Sequence, residues 1–282
     1  MNWTEWKSVA EFDFTDIIYE KKYLVTGGGV SKITFNKPEK LNAFTPKTCE
    51  EVCIAIRDAN HDSTIGVIVI TGAGDKAFCT GADSAVMTSV EAIKEVFEGV
   101  KYPGIDEYIR RSRKPVIAAV KGYAIGGGNH IAYNSDFTIA ADNAIFGQVG
   151  PRMGSPADGW IASNLIRVVG MKRAREMWML CRQYTVQEAL AMGLVNTVVP
   201  LEELDEEVDR WCEEILEKSP TCIQVLKACF DSDIDYLDGS SRRFANRMAP
   251  EFVGSEEHRE AMEANKERRK PNFWKSRMPG NE

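Results

Sequence analysis

Residues 121–131, KGYAIGGGNHI, place three consecutive glycines between an apolar run (residues 115–120) and a second apolar stretch with helical spacing. Glycines at a strand-to-helix junction leave backbone N–H groups bare. A helix beginning there aims its unpaired amides and the positive end of its dipole at the same point. Such a point suits a developing oxyanion or a phosphate, while a plain tight turn is the reading that glycine alone leaves open. A second segment, GVIVITGAGDKAFCTGAD (residues 66–83), runs an apolar strand into a loop where Thr80, Gly81 and Ala82 are small. Two backbone amides from separate loops stabilise negative charge on one carbonyl oxygen without reorganising, so the pair predicts acyl-transfer or enolate chemistry.

Holding two such loops together takes a frame of strands and helices, and the flanking residues have that pattern. Alternation in DIIYEKKYLV and VSKITF, joined across Gly27 to Gly29, predicts an opening hairpin. These glycines read as a turn, because the spacing of a dinucleotide fingerprint is missing and no helix follows. Helix is expected over 46–60, strand over 67–71, strand over 116–120, helix after Gly128 and strand over 137–140. That order predicts α/β layering. Residues 87–113 are charged and helical in pattern, interrupted by Pro103 and Gly104, and read as a flap over the site. After Pro200 the chain turns to long amphipathic helices, whose apolar stripes need a partner surface.

The two glycine loops resemble those of the crotonase, or enoyl-CoA hydratase/isomerase, superfamily. The resemblance also takes in residues 14–22, 33–44 (ITFNKPEKLNAF), 136–155 (DFTIAADNAIFGQVGPRMGS), 168–200 and 265–273. Within the superfamily the chain looks most like the 1,4-dihydroxy-2-naphthoyl-CoA synthases and the 2-ketocyclohexanecarboxyl-CoA hydrolases. The resemblance implies an α/β fold with a ββα spiral core in residues 1–200 that holds the acyl-CoA site. It also implies a C-terminal helical region in 201–282 that builds homotrimers or homohexamers. No cofactor is bound permanently in this picture, and coenzyme A enters as the thioester part of the substrate.

By the same resemblance the backbone amides of Ala82 and Gly127 form the oxyanion hole, and Lys40 and Thr80 grip the adenine and phosphate portion of CoA. The two glutamates of the hydratases fall at His130 and Gly150, so water addition by a carboxylate pair is poorly supported. Gly150 agrees with the synthases and hydrolases, but their aspartate falls at Ala157 and their C-terminal tyrosine at Val253. The arginine that the synthases carry after NAF is Thr45 here, with Lys47 close by. Asp158 instead matches the base of dienoyl-CoA isomerases and the nucleophile of 4-chlorobenzoyl-CoA dehalogenase; a helix cap is its bland alternative. His130 could take a proton from water or hold a substrate oxygen, and a packing histidine is the competing reading. Ser155 supplies a hydrogen bond, Trp160 an apolar wall for a ring, and Asp83 fixes its loop.

The expectation is therefore an enzyme that works through a thioester enolate, foremost by hydrolytic carbon–carbon cleavage of a cyclic β-oxoacyl-CoA. The reverse Dieckmann-type ring closure, a hydratase or isomerase using Asp158, and a scaffold of the same fold without turnover are the alternatives. Composition bounds all four. A chain of 282 residues can bury a substantial core, and a formal net charge of −7 argues against non-specific nucleic-acid binding. No apolar stretch approaches the roughly 20 residues that span a bilayer, and the acidic N-terminal residues lack a secretory pattern, so a cytoplasmic enzyme without membrane contact is expected. Seven cysteines without a Cys-x-x-Cys pair, and three scattered histidines, predict free thiols and no metal site.

Overall fold

In the computed structural model, which describes residues 3–83, 104–155, 160–241, 249, 251–252 and 254–274, the expected hairpin opens the chain. β1 (Lys7–Ser8) pairs antiparallel with β2 (Ile17–Tyr23), and β2 with β3 (Gly29–Phe35). Gly27 and Gly28 turn the chain at φ 105° and 91°, where a Cβ is strained. α1 (Pro46–His61) starts at Thr45, whose hydroxyl accepts from the Thr48 N–H while the Thr48 hydroxyl returns to the Thr45 N–H; Pro46 fills the first helical position.

From there the chain moves repeatedly between two sheets. β4 (Ile65–Gly72) leads into β5 (Ala77–Cys79). After α2 (Ile105–Arg110), β6 (Val116–Val120) leads into β7 (Tyr123–Ile125). After α3 (Gly127–Asn134), β8 (Phe137–Ala141) leads into β9 (Ile145–Gly147). The larger sheet has the order β1-β2-β3-β4-β6-β8 and then β11 (Thr197–Val199), parallel from β3 onward, and the smaller runs from β10 (Gln183–Thr185) through β9 and β7 to β5. This repeated strand–strand–helix turn is the spiral α/β core. α4 (Trp160–Leu180), broken at Gly170, then runs to β10 (Gln183–Thr185), α5 (Val186–Ala191) and β11 (Thr197–Val199). α6 (Leu204–Leu216), α7 (Pro220–Ser241) and α8 (Glu256–Lys266) close the chain.

Parallel strands need crossover helices and are covered on both faces, which is why β4 reads as a continuous apolar run. Its Ile68 and Ile70 point into a core with Ile33, Phe35, Ile56, Phe78, Ile131 and Phe146. Val67 and Val69 point the other way, joining Ile117 and Ile139 against Leu204, Val208 and Cys212 of α6. The change of character after residue 200 thus begins with a helix that completes the sheet's second face. α7 leaves Val225, Leu226 and Phe230 outside, each more than half exposed. Among the described residues no helix is long and apolar enough to cross a membrane. The flap expected over 87–113 falls mostly outside the described residues; its end is α2.

One polar knot ties α1 to the hairpin. The buried Glu51 carboxylate accepts the backbone N–H groups of Thr15, Asp16 and Ile17 at 3.1, 2.8 and 3.2 Å. Asp16 beside it accepts from Lys37 Nζ at 2.6 Å, Thr48 Oγ1 at 2.5 Å and Thr45 Oγ1 at 3.0 Å. Burial pushes the Asp16 carboxyl up, but the bonds from Lys37, Thr48 and Thr45 outweigh it and hold the group below its usual range. Glu51→Ala leaves three amides without their acceptor, so a loss on the order of 3 kcal/mol is expected in urea denaturation. Unchanged stability would show that these bonds contribute little.

Candidate active site

The knot positions the start of α1, and with it Phe44, against the first glycine loop. Phe44 N–H donates to the Gly81 carbonyl and Asp83 N–H to the Phe44 carbonyl, both at 2.8 Å, so Phe44 and Ala82 pair like strand residues. Gly81 has φ 87°, and a Cβ on it would lie 2.9 Å from the Gly127 nitrogen. The two loops are therefore packed backbone against backbone. Each glycine of the run has its own reason. Gly126 turns the chain at φ 56°. A Cβ on Gly127 would meet the Phe44 ring at 2.6 Å, and one on Gly128 would meet the Cys79 carbonyl oxygen at 1.9 Å. Gly127 is the first residue of α3, so its N–H is among those a helix leaves unpaired. Neither the Ala82 nor the Gly127 amide has an acceptor among the described residues, and both residues keep accessible surface. The arrangement can hold a carbonyl oxygen as negative charge grows on it.

One turn into α3, His130 Nε2 lies 3.2 Å from Gln148 Oε1, its ring 5.5 Å from Trp178 and 5.7 Å from Tyr133. Burial pushes the imidazole down to about 4 against the opposing bond to Gln148, so it is neutral at physiological pH. Gly150 is nearby. A Cβ there would come 2.5 Å from the Ser155 carbonyl oxygen and 3.2 Å from Trp178 Cζ3, and Ser155 N–H donates to the Gly150 carbonyl at 2.9 Å. The main chain of Ser155 thus occupies the space that a side chain at position 150 would need. His130, Gly150 and Ser155 are gathered around Trp178, a residue that the sequence pattern did not single out.

Lys40, exposed, and Thr80, partly exposed, adjoin the loop that carries Ala82. Lys40 Nζ donates to Asp83 Oδ2 at 2.8 Å, which raises the ammonium's pKa, and Thr80 Oγ1 donates to the Leu41 carbonyl at 3.2 Å. Both contacts tie residues 40–41 to the loop that carries Ala82. Lys47 is exposed, 3.8 Å from Glu51. Asp158, Ala157 and Val253 lie outside the described residues, and Trp160 begins α4 with its side chain outside them. Cys49, Cys53 and Cys79 are free thiols whose pKa values burial raises.

One acid was not foreseen. Asp106 of α2 accepts from Asn134 Nδ2 at 3.2 Å, and burial pushes its carboxyl up to about 6. Its only sequence signal is its place within the charged segment that follows the first loop.

A spiral of strand–strand–helix turns thus brings two backbone amides from separate loops side by side. The enoyl-CoA hydratase/isomerase family model matches residues 26–277, and the chain belongs to that family. Among solved structures it is similar to an enoyl-CoA hydratase from Mycobacterium avium subsp. paratuberculosis K-10, with 28% identity, a TM-score of 0.76 and coverage of 92% of this chain and 98% of that one. It is similar also to a methylmalonyl-CoA decarboxylase, with 26% identity, a TM-score of 0.74 and coverage of 93% and 99%. An enoyl-CoA hydratase from Bacillus anthracis aligns at 28% identity with a TM-score of 0.68, covering 92% and 98%.

Proposed function

We propose that this enzyme forms a thioester enolate held by the amides of Ala82 and Gly127, and uses it to open a ring in a cyclic β-oxoacyl-CoA. Water adds to the ring ketone, its proton passing to Asp158, which takes this role by its match to the isomerase base. The bond between the ketone carbon and the carbon α to the thioester breaks. Its electron pair becomes the enolate, and protonation at the α-carbon leaves an open-chain acid thioester one water heavier. His130, neutral, serves as a hydrogen-bond partner for the ketone or the water. Lys40 and Thr80 support the loop along which CoA lies, and Trp160 offers a wall to the ring. No permanently bound cofactor takes part. The helical region after residue 200 assembles the chain into homotrimers or homohexamers in the same reading.

The observation that carries this reading is at Gly150. The hydratase carboxylate is absent there and the Ser155 main chain fills its space, while His130 replaces the second carboxylate. Crotonyl-CoA hydration is accordingly expected to be at least about a hundredfold less efficient than the true reaction, far below the ~10⁸ M⁻¹s⁻¹ of diffusion-limited enzymes. Rapid hydration would mean that another acid–base pair has taken over.

A second reading has its own support. Loss of carbon dioxide from a 2-carboxyacyl-CoA gives the same enolate without a base to activate water, and the chain resembles methylmalonyl-CoA decarboxylase. One mass-spectrometric assay separates the possibilities. 2-Oxocyclohexanecarboxyl-CoA should gain one water. Loss of water from o-succinylbenzoyl-CoA would mark ring closure instead, and loss of carbon dioxide from methylmalonyl-CoA would mark decarboxylation.

A further inference from the structure

A cavity of about 220 Å³ lies between the end of α1 and the end of α2, lined by Arg57, Asn60 and His61 on one side and by Tyr108, Arg111 and Arg113 on the other. Residues 57–61 precede β4 and residues 107–113 precede β6, whereas the loops of Ala82 and Gly127 come after these strands. β4 and β6 are parallel, so the cavity sits at the end of the larger sheet where they begin, and the oxyanion hole at the end where they finish. α1 alone spans about 24 Å between the two, sixteen residues at ~1.5 Å each.

Polar bonds tie the two walls together. Lys114 Nζ donates to the carbonyls of Ala59 and Asp62 at the end of α1. Asn60 Oδ1 accepts the Arg113 N–H at 2.9 Å and the Ser112 hydroxyl at 3.1 Å, and His61 Nδ1 donates to the Arg57 carbonyl at 2.7 Å. Charge in the cavity is one-sided. The carboxylate that lines it, Glu107, is buried and already bonded to Arg110 at 3.3 Å and to Arg111. Asp58 and Asp62, beside Arg57 and His61 in the chain, are both held by Lys21, at 2.7 and 2.8 Å. Arg57 and Arg113 are exposed, and neither guanidinium has an ion pair or hydrogen bond among the described residues. An exposed arginine ordinarily does no more than carry a solvated charge. Here, in a chain of formal net charge −7, two unpaired guanidiniums line one enclosed space together with a third arginine and a tyrosine ring. Planar guanidinium forks match the oxygens of a phosphoryl group, and the Tyr108 ring offers an apolar surface beside them.

We propose that this cavity binds a small phosphate monoester, its phosphoryl oxygens on Arg57 and Arg113 and its organic part against Tyr108, as a site separate from the thioester hole and independent of the acyl-CoA reading. Calorimetric titration of the full-length protein with phenyl phosphate tests it, in about 0.15 M sodium chloride so that non-specific attraction is screened. One phenyl phosphate per chain should bind, more tightly than inorganic phosphate, which has nothing to lay on Tyr108. Arg57→Ala and Arg113→Ala should each weaken binding about tenfold, the scale of a charge-assisted hydrogen bond. The double variant should abolish binding with its melting temperature unchanged. Arg57→Lys, which keeps the charge but loses the fork, should retain part of the affinity. CoA and 3′-dephospho-CoA should each bind the double variant as they bind the wild type. Absence of saturable binding to the wild type, or binding that survives in the double variant, overturns the inference. So does a fall in CoA affinity in the double variant that 3′-dephospho-CoA does not share, because the cavity would then hold the coenzyme's own phosphate.

Discussion

Gly127→Val is expected to lower turnover by roughly a hundredfold or more in a protein that still folds, the scale seen when one oxyanion donor is lost. The new Cβ meets the Phe44 ring at 2.6 Å and Gly81 Cα at 3.3 Å. The ring can swing away, whereas Gly81 is backbone held by its bond to Phe44, so the amides of positions 82 and 127 are forced apart. Gly128→Val provides the contrast. Its Cβ would lie 1.9 Å from the Cys79 carbonyl oxygen, a collision inside the smaller sheet's edge that should cost the fold itself. Turnover and circular-dichroism melting of the two variants separate a chemical role from a packing one. Full activity in a folded Gly127→Val protein would remove the hole assignment.

Asp158→Asn should leave acyl-CoA affinity nearly unchanged and lower turnover by about a hundredfold or more, the signature of a group needed in the transition state. Were Asp158 only a helix cap, asparagine would cap about as well and activity would survive. His130→Gln should cost less. An imidazole pushed down to about 4 has no charge to lose above pH 6, so the variant should leave the neutral and alkaline limbs of the pH profile unchanged. Its stability signature has a definite sign. The unfolded imidazole takes up a proton near pH 6.5 and the folded one only near 4, so this site loses stability as pH falls through that window. Relative to wild type, His130→Gln should therefore become more stable as pH drops from 6.5 to 4, with little change above it. Urea denaturation at both pH values reads this directly. An unimpaired Asp158→Asn enzyme with a crippled His130→Gln would reverse the two roles.

The parts that were legible from sequence are those whose information is local. The hairpin over β2 and β3 follows from alternation and a glycine turn, and α1 from the helical pattern of residues 46–60. β4, β6 and β8 follow from apolar runs, and the amphipathic helices after residue 200 from their period. The glycine loops were legible for the same reason: a backbone that must approach another closely excludes every side chain but hydrogen. The smaller sheet was not legible, because its strands are three residues each and too short for any period to show. Neither was the partner of α6, since amphipathicity says that a face is buried but not against what. The reason for glycine at position 150 depends on the path of Ser155. Hydrogen bonds from Asn134 to Asp106 and from Asn164 to Asn134 join residues 28 and 30 positions apart. Glu51 reaches the Thr15 amide across 36. Backbone conformation and periodicity are properties of neighbours along the chain, whereas burial of a charge and the identity of its partner are properties of neighbours in space, and these arise when the spiral closes.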